Sequence, residues 1–219
     1  LAELYVLDGA LSIAGERFAV DCYAVFPAGM AWCDVASANG AVLLIFFDRE
    51  PQAEPARYGE FDRSLAIARV DTHELPWTAH DIDPSVQFLR LSHKVLRHCA
   101  RSGERTILLA SGAQTHPQGW RAAQLRHDCV EEMYLLGGDI IGERGIMYEG
   151  AYFWRPPRIW HGPFGSRRGS LALIRFSGGR HANEWGPVQL PFTLEPAYAP
   201  ELPPELASAA SQPWSPPRF

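Results

Sequence analysis

The chain has 219 residues, of which 47% are hydrophobic and 21% charged, and its formal net charge at pH 7 is -5. This composition is typical of a globular protein large enough to bury a core, and the acidic balance argues against binding to a phosphate backbone. The longest apolar run, AVLLIFF at 41–47, has the length of a buried strand and is too short to span a membrane. We therefore expect neither nucleic acid nor a membrane as a partner.

Short β-type runs separated by glycine and proline turns fill most of the chain. In order, they are ELYVLDGALSIAG, RFAVDCYAVFPAG, AVLLIFF, VQFLRLS, ERTILLASG, EEMYLLGGDIIG, GAYFWRPP and SLALIRF. Strands of this length and spacing predict a β-sandwich or a β-barrel. The four cysteines form no CxxC pair and no secretory signal begins the chain, so we expect reduced thiols and a cytoplasmic protein.

An internal repeat relates two parts of the chain. Residues 1–47 align with residues 130–176 without a gap, and eleven positions are identical, including turn glycines and apolar strand positions. This register predicts two copies of one β domain. Strand-like sequence at 77–126 precedes the second copy but nothing precedes the first. We therefore expect that a segment before residue 1 is missing, or that those strands come from another protomer.

The repeat predicts four parts of the chain. Residues 1–50 are predicted to be the C-terminal part of a first domain, and residues 77–180 a complete second domain. The polar, proline-containing residues 51–76 between them indicate a linker with at most one short helix. Residues 181–219 are rich in proline, alanine and serine, which predicts a tail that wraps the surface or is mobile.

The second copy carries imidazole and carboxylate side chains where an apolar strand begins. In HDCVEEMYLLGG, His127 is followed after three residues by Glu131, and Glu131 after six by Gly138. Farther along, the segment GAYFWRPPRIWH ends at His161. Because a buried unpaired carboxylate is costly, this pattern indicates a cation, a hydrogen-bonding partner or solvent beside Glu131.

These two segments resemble the two metal-binding motifs of the cupin superfamily. The first motif of that family is His-x-His followed by glutamate and then glycine, and the second is glycine, Pro-x-Gly and then histidine. His127, Glu131 and His161 match three of the four ligand positions, whereas Leu125 replaces the leading histidine and Arg158 replaces a glycine. The resemblance covers most of the chain as a bicupin with a ChrR-like second domain. It implies an all-β fold of two double-stranded β-helix (jelly-roll) domains, the first incomplete at its N-terminus.

Two imidazoles and one carboxylate on neighbouring strands of a small barrel can face one interior point. This ligand set is that of non-haem Fe(II) oxygenases, so Fe(II) is the expected cofactor, and Zn, Mn, Ni or Co would also fit. The alternative is that His127, Glu131 and His161 form a metal-free polar cluster joined by hydrogen bonds. At the equivalent positions of the first copy, Ala2 and Trp32 predict that it holds no metal.

The predicted function is that of a metal-dependent enzyme, a dioxygenase-type oxidoreductase acting on a small carbonyl, enol or carboxylate substrate; a lyase, isomerase or cyclase fits equally. Tyr152 and Arg175 are the predicted catalytic residues, with Arg175 balancing the charge of the substrate. Arg155 and Phe164 are pocket candidates or ordinary turn and core residues. A non-catalytic sensor or small-ligand-binding module and an oligomeric scaffold are the alternatives. We expect a homodimer paired through sheet edges.

Overall fold

A computed structural model describes residues 1–51 and 61–218, and antiparallel β-strands dominate them. The chain forms two compact units, residues 1–76 and residues 77–218. The predicted all-β class is therefore confirmed. None of the helices within the described residues has the length and hydropathy of a membrane span.

The first unit contains one five-stranded antiparallel sheet. Its order is β2-β1-β3-β5, and β4 pairs with β1. The strands are β1 (Ala2–Ile13), β2 (Glu16–Ala19), β3 (Cys22–Phe26), β4 (Ala41–Phe47) and β5 (Ile67–Asp71). Alternate residues of β1, among them Leu4 and Val6, are fully buried, and with Ala24 and Phe26 of β3 they form an apolar core.

The second unit contains a six-stranded antiparallel sheet and a two-stranded one. The larger sheet has the order β10-β9-β12-β7-β6, with β11 paired to β9, and the smaller sheet is β13-β8. The strands are β6 (Ser92–His98), β7 (Arg105–Ser111), β8 (Arg121–Arg126), β9 (Val130–Gly142), β10 (Gly145–Tyr148), β11 (Tyr152–Arg155), β12 (Ser170–Ser177) and β13 (Glu184–Pro191). Short 3₁₀ helices span Arg63–Leu65, Thr72–Glu74, Pro84–Leu89 and Pro204–Ser211.

The repeat seen in the sequence is also present in the strands, because β9 to β12 follow one another as β1 to β4 do. Both long strands are irregular at the same repeat position. The pairing of β1 with β4 skips Leu7, and that of β9 with β12 skips the equivalent Leu136. The glycines two residues later, Gly9 and Gly138, have φ angles of 70° and 79°. The two copies therefore share a bulge as well as a strand order.

The predicted linker and tail contain more structure than expected. Within 51–76, residues 52–60 lie outside the described part of the chain, but Ile67–Asp71 pairs with β3 and belongs to the first sheet. Within 181–219, Glu184–Pro191 pairs with β8 across the second unit. Cross-strand hydrogen bonds make both segments strands, and the local sequence does not reveal which strand each will pair with.

Replacing Gly138 by alanine is expected to lower the free energy of unfolding by about 2 kcal/mol or more. A left-handed backbone costs an L-residue about 1–2 kcal/mol, and a Cβ at this glycine would lie 2.0 Å from the carbonyl oxygen of Gly169. The adjacent Gly137 is the matched control, since a Cβ there meets nothing within 4 Å. Denaturant unfolding of Gly138→Ala and Gly137→Ala checks the prediction, and equal stabilities of the two variants would contradict it.

Candidate metal centre

The three candidate ligands come from different parts of the second unit. His127 lies between β8 and β9, Glu131 is the second residue of β9, and His161 lies in the segment that joins β11 to β12. An isolated antiparallel bridge holds His161 opposite Leu125 of β8, with reciprocal backbone hydrogen bonds of 3.0 Å each. Strand pairing therefore places a residue distant in sequence beside the first motif.

The side chains of His127, Glu131 and His161 converge, as the sequence predicts. One ligand atom from each lies within 4.8 Å of the others. The two Nε2 atoms are 3.2 Å apart, and Oε2 of Glu131 lies 3.9 Å from Nε2 of His127 and 3.6 Å from Nε2 of His161. All three residues are buried, so few water molecules can compete for these atoms.

Backbone carbonyls orient both imidazoles. Nδ1 of His127 lies 3.2 Å from the carbonyl oxygen of Ala182, and Nδ1 of His161 lies 2.9 Å from that of Ile159. A carbonyl only accepts hydrogen bonds, so each Nδ1 carries a proton and each Nε2 presents a lone pair to the other. Two lone pairs 3.2 Å apart suit a shared cation. A divalent metal with bonds of about 2.1 Å separates its nitrogen ligands by about 3.0–3.4 Å. The residues present thus fit a metal.

Burial also favours the ligand form of His161. Removal from water lowers the pKa of this imidazole below its usual range, and the nearby charge of Glu131 opposes the shift only in part. His161 is therefore neutral near pH 7, which is the state that binds metals. Close by, burial and the charge of Glu131 raise the pKa of Cys129 to about 11, so this thiol stays protonated.

Arg155 is an additional partner of Glu131. Its Nη1 lies 3.2 Å from Oε2 of Glu131, and its Nη2 lies 3.3 Å from Oε1 of Glu143. The guanidinium also lies over the ring of Phe153, with its central carbon 3.7 Å from the ring centroid. Arg155 therefore forms an ion pair with Glu131 and fixes the direction of its carboxylate.

A cavity of about 730 Å³ extends from the triad through the interior of the second unit. Its walls are mostly apolar and come from alternate residues of the large sheet, among them Ile107, Met133, Phe153, Ile174 and Phe176. The polar part of the lining includes the triad, Arg105, Arg155 and His181. Leu125 and Phe164 also line the cavity. This combination of apolar walls and a few convergent polar groups is typical of small-molecule sites.

The first unit has apolar residues at the positions of the polar cluster. The repeat aligns Ala2 with Glu131 and Trp32 with His161, as well as Phe26 with Arg155. Ala2 and Phe26 belong to the apolar core of the first unit, Trp32 packs against it, and the rings of Phe26 and Trp32 are 4.6 Å apart. These apolar side chains offer no ligand atom for a metal.

Tyr152 and Arg175, the predicted catalytic residues, do not line the cavity. Both contact Glu132, with the Tyr152 hydroxyl 3.0 Å from Oε1 and Nη1 of Arg175 2.7 Å from Oε2. Strand pairing explains the difference, because Glu132 is opposite both Trp154 and Arg175 and side chains alternate between faces. Glu131 faces inward, so Glu132 and its partners lie on the other face of the sheet.

Sequence reasoning did not single out Arg105 or His181, which both line the cavity. Arg105 begins β7, and His181 follows β12 in the segment predicted to be a tail. Nη2 of Arg105 lies 2.7 Å from Nδ1 of His181, whose ring centroid is 4.4 Å from that of His127. Neither residue belongs to a sequence motif. The local sequence offers one indication of a site here, which is a histidine, His181, shortly after the end of a strand.

No family model and no curated protein matches the sequence. Among solved structures, a candidate dioxygenase from Nostoc punctiforme PCC 73102 superposes with a TM-score of 0.65 at 20% identity, over 88% of this chain and 66% of that one. A candidate acetylacetone dioxygenase from Methylibium petroleiphilum PM1 gives 0.41 at 15% identity, over 57% and 84%. An RmlC-like cupin from Ralstonia eutropha JMP134 gives 0.38 at 14% identity, over 52% and 76%.

The Nostoc similarity covers both units and supports the fold alone, because the identity is low. The chain spans just under two thirds of that structure's length. The all-β fold of the described residues is similar to that of the Nostoc structure.

Replacing Tyr152 by phenylalanine is expected to leave metal binding unchanged and to reduce stability by about 1 kcal/mol or less, because one solvent-accessible hydrogen bond is lost. Tyr152 is 51% exposed and its hydroxyl contacts Glu132, outside the cavity. Glu131→Gln is the contrasting variant and is expected to lose metal. Metal content and denaturant unfolding of both variants test whether Tyr152 lies outside the metal site. Loss of metal from the Tyr152→Phe protein would show that Tyr152 contributes to metal binding.

Proposed function

We propose that this chain is a metal-dependent cupin enzyme whose second unit holds one divalent transition metal through His127, Glu131 and His161. The observation that carries the proposal is the pair of Nε2 atoms 3.2 Å apart, each with its Nδ1 on a backbone carbonyl. This arrangement leaves two lone pairs directed at one point. A carboxylate oxygen of Glu131 is the third proposed ligand, and the remaining coordination positions are left to a substrate.

Two imidazoles and one carboxylate on one face favour Fe(II) among the divalent metals, with Zn, Mn, Ni and Co as alternatives. When bound, such a metal supplies a Lewis acid and, as Fe(II), oxygen chemistry. The proposed reaction is therefore a dioxygenase-type oxidation of a small carbonyl, enol or carboxylate compound. The similar Nostoc protein is itself described as a candidate dioxygenase, which agrees with this class.

The side chains around the triad have separate tasks in this proposal. Arg155 holds the carboxylate of Glu131 in place, and the carbonyls of Ala182 and Ile159 hold the two imidazoles. Met133, Ile174 and other apolar walls exclude water from the reacting groups, which strengthens the electrostatic interactions there. Because the ligands are oriented before a substrate enters, little reorganisation is needed during the reaction.

A metal-free ligand-binding module is the second candidate, and one observation favours it. Arg155 lies 3.2 Å from Oε2 of Glu131 and so compensates the buried carboxylate without a metal. In that case the cavity would bind a small molecule for sensing or regulation, and no reaction would follow. Metal content separates the two candidates.

Partners and location are part of the proposal. We propose a homodimer in the cytoplasm that acts on a small molecule, with neither nucleic acid nor a membrane as a partner. The acidic net charge of -5 supports the exclusion of nucleic acid. The sheets end in edge strands such as β5 and β6, and edge strands of this kind are sites at which two chains pair.

Protein purified without added metal is expected to contain about one equivalent of a transition metal, and His161→Ala is expected to lose most of it, because two ligands hold a metal poorly. Elemental analysis of both proteins gives the result. The matched control is His80→Ala, which removes an exposed histidine of the same unit whose Nδ1 lies 2.8 Å from Asp81. Oxygen uptake with β-dicarbonyl and aromatic ketone compounds then tests the reaction class.

Two results would count against the metal enzyme. Absence of metal from the purified protein, even after reconstitution with Fe(II), would make the triad a polar cluster and favour the binding module. Equal metal content in His161→Ala and the wild type would mean that residues other than His161 bind the metal.

Replacing Leu125 by histidine is expected to raise metal affinity by at least about tenfold. Leu125 lines the cavity and pairs with His161, so an imidazole there lies beside the triad. Removing groups that merely orient a ligand changes affinity by about 10–100-fold, and a new ligand should have at least that effect. Competition with a metal-binding dye measures the change, with Leu125→Met as the apolar control. Equal affinities in the two variants would exclude this position from the coordination shell.

A further inference from the structure

Arg105 lies in the same cross-strand row as Glu131 of the triad. It is paired with Phe176 of β12 and with His98 of β6, and Phe176 is paired with Glu131 of β9. Arg105, Phe176 and Glu131 all line the cavity. A positive charge is thus placed two strands away from the candidate metal ligand, on the same interior face.

This guanidinium has little to balance its charge. Its Nη2 lies 2.7 Å from His181, its Nε is buried without a partner, and no carboxylate in the described residues forms an ion pair with it. Burial lowers the pKa of Arg105, and the charged residues Asp81 and Arg180 act on it only through longer-range charge. Asp83, another acid at the cavity, already accepts hydrogen bonds from Asn183 and Trp185. Arg105 is half-buried, and a cation partly removed from water in this way is stabilised when an anion joins it.

The contact with Arg105 also determines what His181 can do. An arginine N–H only donates, so Nδ1 of His181 accepts and its Nε2 carries the proton. A protonated Nε2 cannot ligate a metal, which rules out His181 as a replacement for the histidine absent at position 125. His181 instead provides a second N–H donor beside Arg105.

The two donors lie close to the triad. The ring of His181 is 4.4 Å from that of His127, and the ring of His127 is 4.9 Å from that of His161. Phe176 stacks on His181 with their centroids 3.9 Å apart and also lies under the guanidinium of Arg105. The donors are thus held by an aromatic ring on the cavity wall.

We propose that Arg105 and His181 form an anion-binding subsite that holds the carboxylate of a small, largely apolar substrate beside the metal ligands. The inference rests on the proposed function and names its substrate class. The carboxylate accepts hydrogen bonds from Arg105 and from Nε2 of His181, and the apolar body of the ligand contacts Ile107 and Ile174. This subsite takes the role that the sequence assigned to Arg175.

Isothermal titration of metal-free protein at pH 7 tests the subsite without the metal. The probes are benzoate and hexanoate, with benzamide as the uncharged analogue of benzoate. We expect a carboxylate to bind the wild type, and Arg105→Met to bind it at least about tenfold more weakly, because a charge-assisted hydrogen bond is lost. Arg101→Met, an exposed arginine in the turn before β7, is the matched control and should bind as the wild type does.

Thermal melting reports whether Arg105→Met folds. Arg105→Gln, which keeps a polar group at the same depth, is the variant to compare if it does not. Three outcomes would overturn the subsite: neither carboxylate binds the wild type, benzamide binds as well as benzoate, or the Arg105 variant binds as the wild type does.

Elemental analysis separates this failure from that of the proposed function. If the protein contains no metal but still binds benzoate through Arg105, the subsite proposal is supported and the metal-enzyme proposal is wrong. If the protein contains metal but Arg105→Met does not change carboxylate binding, the metal-enzyme proposal is supported and the subsite proposal is wrong.

Discussion

The alternation of side chains along β9 is the constraint on which the functional site depends. Two glutamates stand side by side in this strand, and a strand directs neighbouring side chains to opposite faces. Glu131 therefore enters the cavity, where His127, His161 and Arg155 surround it. Glu132 lies on the other face, where it meets Tyr152 and Arg175. A shift of one residue in this strand would exchange the two glutamates and remove the candidate metal centre.

The internal repeat allows interactions common to both copies to be distinguished from residues found in the second copy alone. The tyrosine-glutamate hydrogen bond is present in both copies, as Tyr23 with Glu3 at 2.6 Å and as Tyr152 with Glu132 at 3.0 Å. At the positions where the second copy has Glu131, Arg155 and His161, the first copy has Ala2, Phe26 and Trp32. The hydrogen bond present in both copies belongs to the repeated fold, whereas the polar groups at these three positions occur in the second copy.

The interior arginines of the second unit differ in what balances them. Arg155 is paired with Glu131 and Glu143, so its charge is compensated within the protein. Arg105 contacts a neutral imidazole and an aromatic face. Arg155 therefore orients Glu131, a candidate metal ligand. The positive charge of Arg105 is left to be balanced by an anionic group of a ligand in the cavity. In the two proposals, metal ligation and substrate recognition belong to different side chains along one row of the sheet.

The sequence by itself determined the all-β class, the repeat and the triad, because alternation, turn glycines and motif spacing are local properties of the chain. It did not determine which residues of other strands share the face of Glu131. That depends on strand register, and the bulge at Leu136 offsets the pairing partway along β9. Only the tertiary structure therefore excluded Arg175 and Tyr152 from the cavity. It also brought Arg105 and His181 together from positions 76 residues apart, where no spacing pattern connects them.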